Sequence, residues 1–119
     1  MLNLYHLELD SSTFNSTAKK LLHYVSDARK EKILRYKFDK DRLLSLYGIL
    51  LISFALDDSF DVNIIPLELQ TTHYGKPYLE YLDYCKFNLS HTKGYVTCCT
   101  SSVSDVGVDV ENLLLLMVL

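Results

Sequence analysis

Cysteine is scarce in this chain, and it is not arranged in pairs. Only Cys85, Cys98 and Cys99 occur, an odd number with two adjacent and no CxxC spacing. That pattern argues against a disulfide framework or a zinc site and favours a reducing, cytoplasmic setting. Tryptophan is absent altogether, and two prolines and four glycines form no low-complexity linker. No internal repeat is visible. The N-terminus lacks a basic region followed by an apolar core and a small-residue cleavage site, so no signal peptide is expected. No uninterrupted apolar run approaches the roughly 20 residues that span a bilayer, so no membrane partner is expected. What remains is a 119-residue chain of one-domain length, 49% hydrophobic, which is enough for a real core.

The net charge of −3 hides an uneven distribution. Between 29 and 42 stand Arg29, Lys30, Lys32, Arg35, Lys37, Lys40 and Arg42 against Glu31, Asp39 and Asp41, a local excess of four positive charges in an acidic protein. Such a patch suits a small local anion such as a phosphate rather than a long polyanion, so no nucleic acid is expected; a solvated helix face is the plain alternative.

Periodicity outlines the elements. Residues 2–9 read as an opening strand. Residues 13–24 read as a helix capped by Ser11, Ser12 or Thr13, and Ser26 as the cap of a basic helix over 27–36 with Ile33 and Tyr36 inward. Asp39 opens a helix expected to end near Asp57, with Leu43, Leu46, Tyr47, Leu50, Leu51 and Phe54 as its core stripe. Gly75-Lys76-Pro77 is loop chemistry. Residues 85–89, 94–100 and 106–110 read as three short strands. The fold class expected is α+β: a small, mainly antiparallel sheet with the long 39–57 helix packed on one face.

The strongest chemical signal is Val-Gly-Val-Asp-Val-Glu over 106–111. On a strand, Asp109 and Glu111 would share a face, where two carboxylates repel unless a cation lies between them. A hard ion such as Mg2+, completed by phosphate oxygens, meets that need. Four pieces then stand in order: the basic helix, Gly75-Lys76-Pro77, Phe87-Asn88-Leu89-Ser90-His91, and the acidic pair. Each alone has an ordinary structural reading, as a solvated helix, a turn, a structural histidine and a solvated edge. Their joint order carries the argument.

In that order the chain resembles the Sfp-type 4′-phosphopantetheinyl transferases, from Val25 to Glu111. The resemblance implies transfer of the phosphopantetheine arm of coenzyme A to a serine of an apo carrier protein, with Mg2+ as cofactor. It implies that Arg29 and Lys32, helped by Ser45, meet the 3′-phosphate. Gly75, Lys76 and Pro77 would line the adenine and phosphate region. Ser90 and His91 would hold the phosphates, with Asn88 of the same motif among the coenzyme A contacts. Asp109 and Glu111 would bind the metal, and the catalytic roles fall to Asp109, Glu111 and His91.

The chain also departs from the family. Members are about twice as long, built from two similar halves with the active site between them, and the second half brings a Trp-x-x-Lys-Glu helix that has no counterpart here. Where members often carry an arginine just before the Ser45-like position, this chain has Leu44, and Arg42 lies two residues earlier on a different face. The small trimeric holo-acyl-carrier-protein synthases place their Gly-x-Asp motif near the N-terminus, whereas here it comes near the end. The expected organisation is therefore an N-terminal half-domain over 1–111 and an apolar tail over 112–119, Leu-Leu-Leu-Leu-Met-Val-Leu after Asn112, read as a truncation remnant. Three functions follow from this: a transferase half that needs a missing C-terminal half, a coenzyme A-binding protein without transfer, or a nonfunctional fragment that self-associates through the tail.

Overall fold

The computed structural model describes residues 2–9, 12–75, 77–80, 84–92 and 94–101. The expected third strand over 106–110, the 112–119 tail, Lys76, Asp109 and Glu111 lie outside these residues. The element order is β1 (Leu2–Glu8), α1 (Ser16–Leu21), a 3-10 turn (Leu22–Tyr24), α2 (Asp27–Arg35), α3 (Asp39–Phe60), β2 (Gln70–Thr71), β3 (Pro77–Tyr78), β4 (Lys86–Thr92) and β5 (Tyr95–Ser101). Strands β1, β5 and β4 form an antiparallel sheet in that order, while β2 and β3 make a separate two-stranded ribbon. α3 packs across one face of the sheet. This is the expected α+β arrangement, a small antiparallel sheet with a long helix packed on one face.

Local chemistry sets the boundaries. α1 starts at Ser16 because Asn15, not Ser11, Ser12 or Thr13, caps it: the Asn15 side chain accepts the Ala18 N–H at 2.9 Å. The expected single helix breaks into α1 and a 3-10 turn. α3 runs three residues past Asp57. It ends where Asp61 adopts a left-handed conformation (φ 56°) and the Asp61 and Val62 N–H groups close onto the carbonyls of Asp57 and Leu56. Gly94 has φ 78° at the β4–β5 turn, a backbone position that favours glycine, and its carbonyl accepts the Leu9 N–H at 2.7 Å.

The core stripe of α3 is rotated from the expected one. The buried line is Leu43, Leu46, Ile49, Ile52, Ala55 and Leu56, joined by Leu51, whereas Tyr47 and Leu50 are half-buried and Phe54 is 60% exposed. The middle of α3 is apolar nearly all round, so periodicity alone does not select a face. The sheet does: a Cβ on Gly48 would lie 3.0 Å from Leu89 Cδ2, so helix and strand approach closely there. α3 is also long and apolar enough, by length and composition, to cross a membrane, which the uninterrupted runs did not suggest. One line of its apolar residues, from Leu43 to Leu56, is buried in the core, while Tyr47, Leu50 and Phe54 keep contact with solvent.

A polar cluster fastens the far end of α3. Ser59 Oγ accepts from Asn3 Nδ2 at 3.2 Å and lies 2.6 Å from both the Tyr5 hydroxyl and Thr100 Oγ1. The Tyr5 hydroxyl donates to Asp58 at 2.7 Å, and its ring meets Phe54 edge-on at 5.8 Å. Burial, reinforced by the Asp58 carboxylate, pushes the Tyr5 phenol above its ordinary pKa. All three cysteines are free and buried, and burial pushes the Cys98 thiol up to about 12. They are packing groups held as neutral thiols.

Leu46 is fully buried and Leu50 half-exposed on the same helix. Leu46→Ala should therefore cost about 2–5 kcal/mol of stability, and Leu50→Ala clearly less. Urea denaturation of both variants checks this, and equal losses would show that the buried line has been misplaced.

Candidate functional site

The site begins with the start of α2. Ser26 is extended, and its hydroxyl accepts the Arg29 N–H at 3.2 Å, which fixes the first turn as expected. Arg29 falls in that turn and Lys32 one turn later, while Ile33, fully buried, anchors the helix against the core. Arg29 Nη1 donates to Ser45 Oγ on α3 at 3.3 Å. Two of the sequence-predicted residues, distant in the chain, are thus in direct contact.

The electrostatics fit an anion site. Burial lowers the Arg29 guanidinium from its ordinary value, partly offset by nearby Tyr36. Lys32 is lowered by desolvation first, then by repulsion from Arg29 and Arg35. Three cations crowd one another on this surface, and a phosphate placed among them would relieve that repulsion.

β4 carries the second group. Asn88 pairs with Cys99, Ser90 with Thr97 and His91 with Val96 across the sheet. Strand alternation sends Ser90 and His91 to opposite faces, so the structure does not bring these neighbours together on one side. Leu89 and His91 share the face covered by α3. Ser59 of α3 lies over Thr100, the partner of Phe87, and Gly48 lies against Leu89. His91, two residues beyond Leu89 on the same face, is exposed. Ser90 belongs to the opposite face, in line with Thr97, whose hydroxyl lies 3.0 Å from His6 Nδ1.

The approach to the Gly75-Lys76-Pro77 motif is a turn in which the Gly75 N–H donates to the Thr72 carbonyl at 2.8 Å, with Gly75 at φ 87°. Open space surrounds the Gly75 α-carbon, so the glycine is required by backbone angle and not by crowding. Pro77 follows in β3, beside β4. His73 and Tyr74 stack at 4.4 Å just before the loop, with Tyr74 88% exposed. Sequence reasoning missed this aromatic pair, although its position next to the glycine was visible.

Among the described residues no cluster of three or more His, Cys, Asp or Glu could hold a metal. The carboxylates expected to do so, Asp109 and Glu111, lie outside them, as does Lys76. A cleft of about 360 Å3 opens on the outer flank of α3 between Leu21, Tyr24, Phe54 and Ile65. Its lining is mainly apolar, with Asp57 the charged group, and it includes none of the residues expected to meet phosphate.

Residues 12–103 match the family model described as 4′-phosphopantetheinyl transferase, N-terminal. The chain is 24% identical over 110 residues to the 4′-phosphopantetheinyl transferase Sfp of Bacillus subtilis (strain 168), covering 92% of this chain and 49% of that protein. It is 29% identical over 98 residues to a phosphopantetheinyl transferase of Thraustochytrium sp., covering 81% of this chain and 34% of the relative. The chain belongs to the 4′-phosphopantetheinyl transferase family through its N-terminal domain. It spans about half the length of the curated Bacillus relatives it matches.

Since Ser26 both caps α2 and orients its first turn, Ser26→Ala should lower stability by about 1 kcal/mol, and Ser26→Asp should retain most of the wild-type value. Denaturation midpoints at unchanged m-value check this. A neutral alanine variant would mean that the cap contributes nothing to holding Arg29.

Proposed function

We propose that this chain supplies the coenzyme A-binding half of a 4′-phosphopantetheinyl transferase, which moves the phosphopantetheine arm to a serine hydroxyl of an apo carrier protein. The observation that carries this reading is the Arg29–Ser45 contact within a crowded cationic surface. Coenzyme A bears a 3′-phosphate on one side of its ribose and a pyrophosphate on the other, so it requires two separated groups of donors. Arg29, Lys32 and Ser45 would take the first. His91, through its ring N–H, would take the second, with Lys76 of the Gly75–Pro77 loop contributing; Asn88 and Ser90, on the opposite face of β4, do not share that position.

Mg2+ fits the donor chemistry of Asp109 and Glu111, since carboxylates suit hard cations that retain some phosphate oxygens as ligands. When bound it would neutralise charge on the pyrophosphate. Transfer also needs a base for the serine proton and a cation for the leaving phosphate. The family resemblance assigns those groups to the Lys-Glu helix of the second half, beyond these 119 residues. The carrier protein and the second half are thus the partners this reading requires.

Calorimetry with coenzyme A and dephospho-coenzyme A tests the ligand. Coenzyme A should bind more tightly, and Arg29→Ala and Lys32→Ala should each erase most of that preference, about tenfold, the worth of one charge-assisted hydrogen bond. Equal wild-type affinities would remove the 3′-phosphate role. In a transfer assay with an apo carrier protein, the 119-residue chain alone should incorporate little or no phosphopantetheine, and a supplied second half should restore incorporation. Robust turnover by the chain alone, abolished by Asp109→Ala, would show instead that two copies complete the site.

A further inference from the structure

One cation of the basic segment is not free to meet a ligand. Arg42, in the first turns of α3, donates from Nε to the Tyr36 carbonyl at 2.8 Å, and its Nη1 lies 3.5 Å from Asp39 Oδ1. The other oxygen of Asp39 accepts the Phe14 N–H at 3.0 Å, and the Arg42 guanidinium sits over the Phe14 ring at 6.0 Å. Three pieces of backbone meet here: the approach to α1, the end of α2, and the start of α3. A guanidinium serves a carbonyl and a carboxylate at once from fixed positions on a planar fork, whereas a lysine offers one ammonium on a flexible stem.

The corner lies on the same contact as the proposed anion site. Arg42 and Ser45 are one turn apart on α3 and share a helix face, while Arg29 lies in the first turn of α2 and Tyr36 is its C-cap. α2 is therefore joined to α3 at two points, Arg29 to Ser45 and the Tyr36 carbonyl to Arg42, with the buried Ile33 between them. Only the first of these points can turn toward a ligand. The second holds the crossing of the two helices and thereby the placing of Arg29 and Lys32 relative to Ser45.

We propose that Arg42, braced by Asp39, is a positioning residue for phosphate recognition: it fixes the α2–α3 corner so that Arg29, Lys32 and Ser45 converge on one anion. This rests on the reading that those three residues meet the 3′-phosphate. It makes a prediction opposite in sign to simple electrostatics. Asp39 is a negative charge beside a cationic site, so Coulomb attraction alone says that removing it strengthens phosphate binding. It would also release Arg42 toward the ligand. Positioning says that removing it weakens binding.

The test uses the 119-residue chain and measures the ratio of coenzyme A to dephospho-coenzyme A affinity, well below the melting temperature, in wild type, Arg42→Ala, Arg42→Lys and Asp39→Asn. Asp39→Asn retains an acceptor for the Phe14 N–H and keeps the test alive if Arg42→Ala does not fold. Arg42→Ala and Asp39→Asn should each reduce the ratio by about tenfold, and Arg42→Lys, which can still donate to Tyr36, should recover part of it. A wild-type ratio retained in Asp39→Asn and in a folded Arg42→Ala, with only the melting temperature lowered, would overturn the proposal and leave Arg42 a stabilising residue. A ratio increased by Asp39→Asn would also overturn it, because Arg42 would then be a direct ligand. A wild-type chain without preference would overturn the parent reading, and this proposal with it.

Discussion

Everything in this half-domain depends on the burial of α3 against the β1–β5–β4 sheet. Leu46, Ile52 and Leu56 are almost wholly removed from water in that layer, facing Val96, Cys98 and Phe87 of the strands. Each such side chain contributes roughly 1.5–3 kcal/mol relative to exposure. The burial is non-directional, so it does not by itself set where along the sheet the helix lies. Two specific contacts do that: the Ser59 cluster ties one end to β1 and β5, and the near-touch of Gly48 and Leu89 sets the other against β4.

The functional groups hang on this frame at second hand. α2 is short, nine residues, and makes one fully buried contact through Ile33. A helix of that length has little stability of its own in water. Its orientation comes from polar contacts at its two ends, the Ser26 cap and the corner built by Arg42 and Asp39. The basic segment thus divides by task. Arg29 and Lys32 are crowded and poorly compensated, as ligand-seeking cations are. Arg42 is paired with a carboxylate and a carbonyl, as a structural cation is. Charge alone does not distinguish them, and position relative to α3 does.

That distinction marks what the sequence could and could not reveal. β1, α2, the start of α3 and the β4–β5 pair were legible because each carries a local signature: alternation, a serine cap, an aspartate opening a periodic run, a turn glycine. The link between Arg29 and Ser45 was legible only through family resemblance, since no local rule joins residues 16 apart on two helices. The buried face of α3 was misread because Ile49, Ile52 and Ala55 compete on equal terms with Tyr47, Leu50 and Phe54, and only the sheet decides between them. The Asn15 cap was missed because three hydroxyl residues precede it. The Ser59 cluster gave no signal at all, being an agreement among Asn3, Tyr5 and Thr100 that exists only once the strands are paired. Ser90 and His91, read as one motif, are separated by the pleat of a strand.

The crowding of Arg29, Lys32 and Arg35 has a thermodynamic consequence. Holding like charges together disfavours the folded state, and the pKa of Lys32, lowered first by desolvation, is lowered further by Arg29 and Arg35. The core of α3, which lies apart from these charges, offsets the cost, so the anion site can remain uncompensated without unfolding the chain. An anion that binds only the folded form would return this energy as stabilisation, growing with RT ln(1 + [L]/Kd). A paired guanidinium such as Arg42 has no such reserve, because its partners are already present. The cations that do work on a ligand are the ones the fold leaves in mutual conflict, and their neighbours in sequence are those it has already satisfied.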